Sequence, residues 1–229
     1  LHIKQYEEET NLRLTLLVDR SASMAYGEGE LNKFDYSASI AACLGYLALR
    51  QKDATGLYTF DTDVRGTVPA KSNQQQLPRI LSMLDSVGAD GRTDLTRVAK
   101  QVAQGIPRRG LVIIISDLLG VDNLMDGLRV LRQRGHDVAL FHVLHDDEMD
   151  FQFNGATRFE GLETEDFLNC NPRALREGYL EALEEFLSNT RRACGRLSIE
   201  YMQVRTSEPL DAVLAKFLAT RQLLPNLKR

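Results

Sequence analysis

Long apolar runs are missing from this chain. None approaches the ~20 residues that cross a bilayer as a helix, and no charged start followed by an apolar stretch suggests a leader. A basic excess is missing too: 28 lysines and arginines face 32 acids, for a net charge of −4. That argues against a general nucleic-acid binder, which needs a basic stripe to displace counterions, but leaves room for a small local patch. Cysteine is scarce. Cys43, Cys170 and Cys194 lack metal-ligand spacing, and Cys43 and Cys194 sit in apolar helical patterns that read as core thiols. Three such thiols fit a reducing, cytoplasmic setting. Gly-x-Gly-x-x-Gly and Gly-x-x-x-x-Gly-Lys-Ser/Thr are both absent, which removes the usual nucleotide cradles. Gly-x-Ser-x-Gly, the elbow of many serine hydrolases, is absent as well.

What is present is an ordinary globular balance, 43% hydrophobic and 26% charged, in a regular alternation of elements. Residues 12–18 (LRLTLLV) and 111–115 (LVIII) read as strands buried on both faces of a parallel sheet. Strands are also expected over 1–5, 54–60, 138–143 and 197–204, and 64–68 should form a short antiparallel edge strand behind the Asp61-Thr62-Asp63 turn. Helices are expected over 33–49, 74–84, from Leu95, around Leu124 to Leu131, over 172–195 and over 209–221. On the first, small residues (Ala38, Ala41, Ala42, Gly45, Ala48) should let the helix lie close to the sheet. The long one should turn Leu175, Tyr179, Leu183, Phe186, Leu187 and Cys194 inward. The fold class is α/β: a Rossmann-like, doubly wound, mostly parallel sheet with one antiparallel edge strand.

Segment 145–170 breaks this rhythm. It holds eight acids (Asp146, Asp147, Glu148, Asp150, Glu160, Glu163, Glu165, Asp166) against one base, Arg158. Phe151 and Phe153 alternate with polar residues before Asn154-Gly155, and Phe159 follows, so 151–160 is expected to be a hairpin turning at Asn154-Gly155. The chain as a whole, 1–229, reads as one domain, with 145–170 an acidic hairpin insertion and 1–10 the end of a segment truncated upstream, where an anchor would lie if there is one.

In open parallel sheets ligands bind at the carboxyl ends of the strands. Three polar groups fall there: Asp19-Arg20-Ser21-Ala22-Ser23 after the first strand, Thr93 in Gly91-Arg92-Thr93-Asp94, and Asp117 after LVIII. Two carboxylates and three hydroxyls make a hard oxygen set, suited to Mg²⁺ or Mn²⁺, less to Ca²⁺, and poorly to soft metals. Asp19 and Ser21 alone would read as helix caps; all five together favour a metal. Asp94 reads as the cap of the helix at Leu95, Asp61 and Asp63 as turn residues, and His142 as structural. A haloacid-dehalogenase-type phosphotransferase also begins with Asp after its first strand, but needs a second carboxylate two residues later, where this chain has Ser21.

Asp-x-Ser-x-Ser, a distant Thr and a later Asp resemble the metal-ion-dependent adhesion site of von Willebrand factor A (vWA) domains. The resemblance covers residue 11 to about 143 well and the last strand and helix more loosely. It implies that Ser21 and Ser23 coordinate directly, that Thr93 does so in an open form, and that Asp19 and Asp117 act directly or through water. It also implies a switch that moves the last helix, binding of a partner's Asp or Glu carboxylate, and no catalysis. Tyr6-Glu7-Glu8-Glu9-Thr10, Thr157-Arg158-Phe159-Glu160 and the run 201–210 resemble a narrower bacterial family of unknown function, DUF58. Its members carry such a domain and are commonly encoded beside MoxR-type AAA ATPases. That resemblance implies a partner role beside such an ATPase, in assembly or maturation of other proteins. The remaining alternative is a scaffold whose metal site is vestigial.

Overall fold

Strands buried along nearly their whole length, as four of them are, need the sheet covered on both sides, and that is the arrangement found. A computed structural model describes residues 12–27, 31–86, 88–120, 124–163 and 166–222. The expected strand over 1–5 and the acidic run 6–10 lie outside them, as does Glu165. The sheet has six strands in the order β3-β2-β1-β4-β5-β8. They are β1 (Arg13–Asp19), β2 (Ala54–Phe60), β3 (Val64–Lys71), β4 (Leu111–Ser116), β5 (Asp137–Leu144) and β8 (Glu200–Arg205). All pairings are parallel except β2 with the edge strand β3.

The period-2 alternation along β1 divides the core. Leu14, Leu16 and Val18 face one layer with α1 (Lys33–Arg50), α2 (Gln76–Asp85) and α7 (Leu210–Gln222). Leu17 faces the other, with α3 (Leu95–Gly105), α4 (Leu124–Gln133) and Cys194 of α6 (Pro172–Arg196). On the first face Phe217 of α7 sets its ring edge against Phe141 of β5, with centroids 4.9 Å apart. Cys194 is buried, as expected of a core thiol, whereas Cys43 is only partly so.

Between β5 and α6 the chain leaves the sheet. It forms a short α5 (Asp146–Asp150) and then an antiparallel pair of its own, β6 (Thr157–Glu160) with β7 (Phe167–Cys170). The hairpin does stand apart from the main sheet, but its strands and turn are not those expected. The strands that pair are β6 and β7, and Asn154-Gly155 bends the chain ahead of β6. The cause is Phe151, which ends α5 in the left-handed region (φ 45°) and lays its ring on Tyr179 of α6, centroids 4.3 Å apart. Phe159 and Phe153 then gather on it at 5.6 and 5.2 Å. The alternating aromatics form one cluster against α6 and are not cross-strand pairs. The stripe on α6 is also narrower than expected: Leu187 and Cys194 are buried, while Leu175 and Phe186 are exposed.

Gly45 tests the close approach of α1. A Cβ added there would meet Leu16 Cδ1 at 3.6 Å and Thr55 Cγ2 at 3.7 Å, ordinary contact. Helix and sheet are thus close enough for an alanine to touch both without a shift. Gly45→Ala should raise unfolding stability by about 0.5–1 kcal/mol in urea, since the helix loses glycine's extra unfolded-state entropy. A loss of stability would show that the interface is tighter than this spacing.

Candidate metal centre

Each of the five expected residues sits at the carboxyl edge of the sheet, and the chain directions explain why. Strand β1 ends on Asp19, whose side chain turns back to accept the Ser21 backbone N–H at 2.8 Å. A 3-10 turn follows (Ala22–Ala25) and brings the Ser21 and Ser23 hydroxyls within 3.0 Å of each other. The Thr93 loop is tied to this turn by two backbone bonds, Ala22 N–H to Gly91 O (2.8 Å) and Asp90 N–H to Arg20 O (2.7 Å). Thr93 Oγ1 therefore lies 3.3 Å from each Asp19 carboxylate oxygen. Strand β4, beside β1, delivers Ser116 and Asp117. All five, Asp19, Ser21, Ser23, Thr93 and Asp117, are buried. Asp94 caps α3 by accepting from Arg97 N–H, and Asp61 holds its own turn and Arg65, as read from the sequence.

Four groups at the centre were not singled out by the sequence reading. Ser116 Oγ donates to Asp19 Oδ2 at 2.6 Å. Lys33, fully buried at the start of α1, places Nζ 2.6 Å from Asp117 Oδ2 and 2.6 Å from Glu148 Oε1 of α5. Glu163, from the β6–β7 turn, brings its carboxyl to the two serines. Helical spacing carried a signal for Lys33, which shares the buried face of α1 with Ser37, Ile40, Ala41 and Leu44. No comparable signal marks Glu163, one acid among eight. His142 is structural: Nε2 faces the Asp117 carbonyl at 2.9 Å and Nδ1 the Tyr201 hydroxyl at 2.8 Å. A carbonyl only accepts, so Nε2 carries the proton and Tyr201 donates to Nδ1.

The electrostatics are uneven. Burial works to strip the proton from Lys33, but Asp117 and Glu148 outweigh it and raise its pKa above the ordinary lysine value. Asp117 is thereby paired. Among the described residues Asp19 has no cation, only neutral donors. Burial, and then repulsion by Asp117, push its pKa up to about 7, against partial relief from Ser116 and Ser21. This surplus of negative charge is the observation a divalent cation fits. Among the described residues no group of three or more His, Cys, Asp or Glu could hold a metal, so any ion here depends on the hydroxyls of Ser21, Ser23 and Thr93.

The comparisons with known proteins agree with this frame. BatB from Bacteroides thetaiotaomicron superposes with a TM-score of 0.62 at 14% identity, covering 93% of this chain and 98% of that one. An aerotolerance-related membrane protein from Bacteroides fragilis gives 0.61 at 14%, covering 91% and 99%. The VWA domain of SpRpn10 gives 0.54 at 11%, covering 90% and 95%. The architecture is that of a vWA-like domain. The family described as protein of unknown function DUF58 matches residues 1–186, and the chain belongs to it. Uncharacterized proteins of Mycobacterium tuberculosis and Mycobacterium bovis are 26% identical over 227 residues, 96% of this chain and 71% of theirs. No helix among the described residues is long and apolar enough to cross a membrane.

The raised pKa of Asp19 has a signed consequence for the metal-free protein. Its folded value, about 7, exceeds the ordinary 3.8. The stability it contributes is complete below the lower value and lost as pH rises through the upper one. His142, lowered to about 4 by burial, acts in the opposite direction below its ordinary value. Asp19→Asn removes the first effect and leaves the second. In chelator, the variant should gain roughly 2–4 kcal/mol on the parent between pH 4 and pH 8. Denaturant titrations at both ends read this, and parallel profiles would exclude a buried, uncompensated Asp19.

Proposed function

We propose that this is a metal-dependent protein-interaction domain and not an enzyme. Asp19, Ser21, Ser23, Thr93 and Asp117 would hold one Mg²⁺ or Mn²⁺, with Ca²⁺ a poorer fit, for the Asp or Glu carboxylate of a protein partner. The observation that carries the reading is the gathering of five buried oxygen side chains at one sheet edge, among them Asp19, a carboxylate with no cation among the described residues. When bound, the ion supplies an electrophilic position that a carboxylate can fill. The chain's residues do the rest. Ser116 fixes the Asp19 carboxylate, His142 fixes the Asp117 backbone, and the hydroxyls stay neutral, so little of the ion's charge is cancelled before the partner arrives. A switch through the last helix would have to draw Phe217 away from Phe141. Likeness to vWA domains and membership of the DUF58 family support the partner role. A MoxR-type AAA ATPase, with which the domain would work in assembly or maturation of other proteins, is the partner the family resemblance implies.

One observation favours the second reading, a scaffold with a vestigial site. Lys33 already neutralises Asp117 at 2.6 Å, as a cation built into the chain. Calorimetry with Mg²⁺ and Mn²⁺ separates the two. The proposal expects binding at millimolar ion or below, loss of it in Asp19→Ala, and about 10–100-fold weaker binding in Ser116→Ala, the loss typical when a ligand's supporting partner goes. Thr93→Ala leaves the charge intact and should spare the ion more than the partner. Absence of binding by the parent, at any pH where Asp19 is ionised, would leave the scaffold.

The partner arm is separate. A MoxR-type AAA ATPase should be retained by the intact chain in Mg²⁺ and released in chelator, and Asp19→Ala should retain it in neither. Equal retention with and without the ion would refute the carboxylate mechanism even if the ATPase is the partner.

A further inference from the structure

Glu163 has no role in the ligand set above, yet it is tied to the centre by one loop and given room by another. Arg92, beside Thr93, donates from Nε to the Glu163 carbonyl at 2.8 Å. Gly120, three residues after Asp117, adopts φ +67° and leaves space for the side chain: a Cβ there would stand 3.2 Å from Glu163 Oε2. The loops bearing Thr93 and Asp117 thus receive the tip of the hairpin between them. Ser23, Ser21 and the Thr93 backbone N–H face the carboxyl and favour its ionised form, while burial, the largest influence, and Asp117 oppose it and keep its pKa raised. Oε1 is nonetheless buried with no hydrogen-bond partner at bonding distance. A carboxylate oxygen shut from water, without a donor and facing another carboxylate, is costly unless a cation joins it.

We propose that Glu163 is a ligand supplied by the chain itself: with a divalent ion held by Asp19, Ser21, Ser23, Thr93 and Asp117, it takes the position that a partner's carboxylate would otherwise fill. The inserted hairpin then closes the centre, and a partner enters only when the hairpin leaves. This rests on the metal reading. The hairpin is built to move as a unit. Its two strands bond each other and not the main sheet, Phe167, Leu168 and Leu162 are exposed, and its root is held by the Phe151–Phe159–Tyr179 cluster, away from the tip. Swinging the tip out uncovers the ion without unfolding either core layer.

The probe is Mn²⁺ alone, followed by calorimetry and by water-proton relaxation, which reports the waters left on the bound ion. Glu163→Gln should bind Mn²⁺ about tenfold more weakly than the parent, for one lost anionic ligand, and should show higher relaxation per bound ion as water replaces the carboxylate. Glu163→Asp, one methylene short, should behave alike. Glu160→Gln, a change at an exposed acid of the same hairpin, should match the parent. Excess acetate should lower the relaxation of Glu163→Gln to the parent's level and leave the parent unchanged. Melting curves in chelator identify any variant that has lost its fold. If Glu163→Gln equals the parent in affinity and relaxation while Asp19→Ala loses the ion, the metal site stands and the role of Glu163 falls. If the parent binds no Mn²⁺, both fall.

Discussion

Two carboxylates, Asp19 and Asp117, are buried at the ends of adjacent strands, and the one cation that reaches them among the described residues, Lys33, serves only Asp117. The rest of the edge is arranged around that imbalance. Ser116, Thr93 and the Ser21 amide spend their hydrogen bonds on Asp19. His142 is kept neutral, at a pKa of about 4, so it adds no charge. A carboxylate in such surroundings has two stable states, protonated or joined by a cation. Near neutral pH its titration lies close enough to either state that a modest change in the surroundings decides between them.

The parallel sheet makes this juxtaposition unavoidable. Because β1 and β4 are neighbours and run the same way, the residues after them emerge side by side, and Val18 pairs with Ile115 immediately before the two polar ends. Strand periodicity therefore made four of the five ligand candidates legible together: an apolar run followed by Asp, twice, with serines after the first, is visible in one dimension, whereas Thr93 rested on its Gly-containing loop and the family resemblance. The parallel character of the sheet was legible because continuous apolar runs report burial on both faces, and the antiparallel edge strand from the Asp61-Thr62-Asp63 turn ahead of it.

What was not legible depended on contacts far apart in sequence. Ser116 looked like the last residue of a strand, and only its 2.6 Å bond across to Asp19, 97 positions away, gives it a role. Lys33 stood in a buried helical stripe, but a lysine at a helix start is usually solvated, and its partners lie 84 and 115 positions away. The hairpin register failed differently. Asn-Gly is a strong local turn signal, yet local chemistry was overridden by Phe151, which stacks on Tyr179 and gathers Phe153 and Phe159 on its own ring, and the strands that pair lie beyond the Asn-Gly step. Leu175 and Phe186 followed the helical period yet stay exposed, Phe186 with only an edge contact to the His142 ring.

The insertion and the centre are joined by charge as well as by position. Glu148, on α5 at the start of the insertion, reaches Lys33; Glu163, in the turn between β6 and β7, reaches the serines. Lys33 is thus divided between a carboxylate of the sheet edge and one of the insertion. Placing more positive charge near Asp19 and Asp117 strengthens the hold on Glu163 while repelling the Lys33 ammonium, which Glu148 then retains on the far side. Removing that charge reverses both tendencies. The acidic segment 145–170, set apart in the sequence as an insertion, accordingly has two partly buried members at the site. Through Lys33 and the serines, these two residues bring the insertion into the charge balance of the sheet edge.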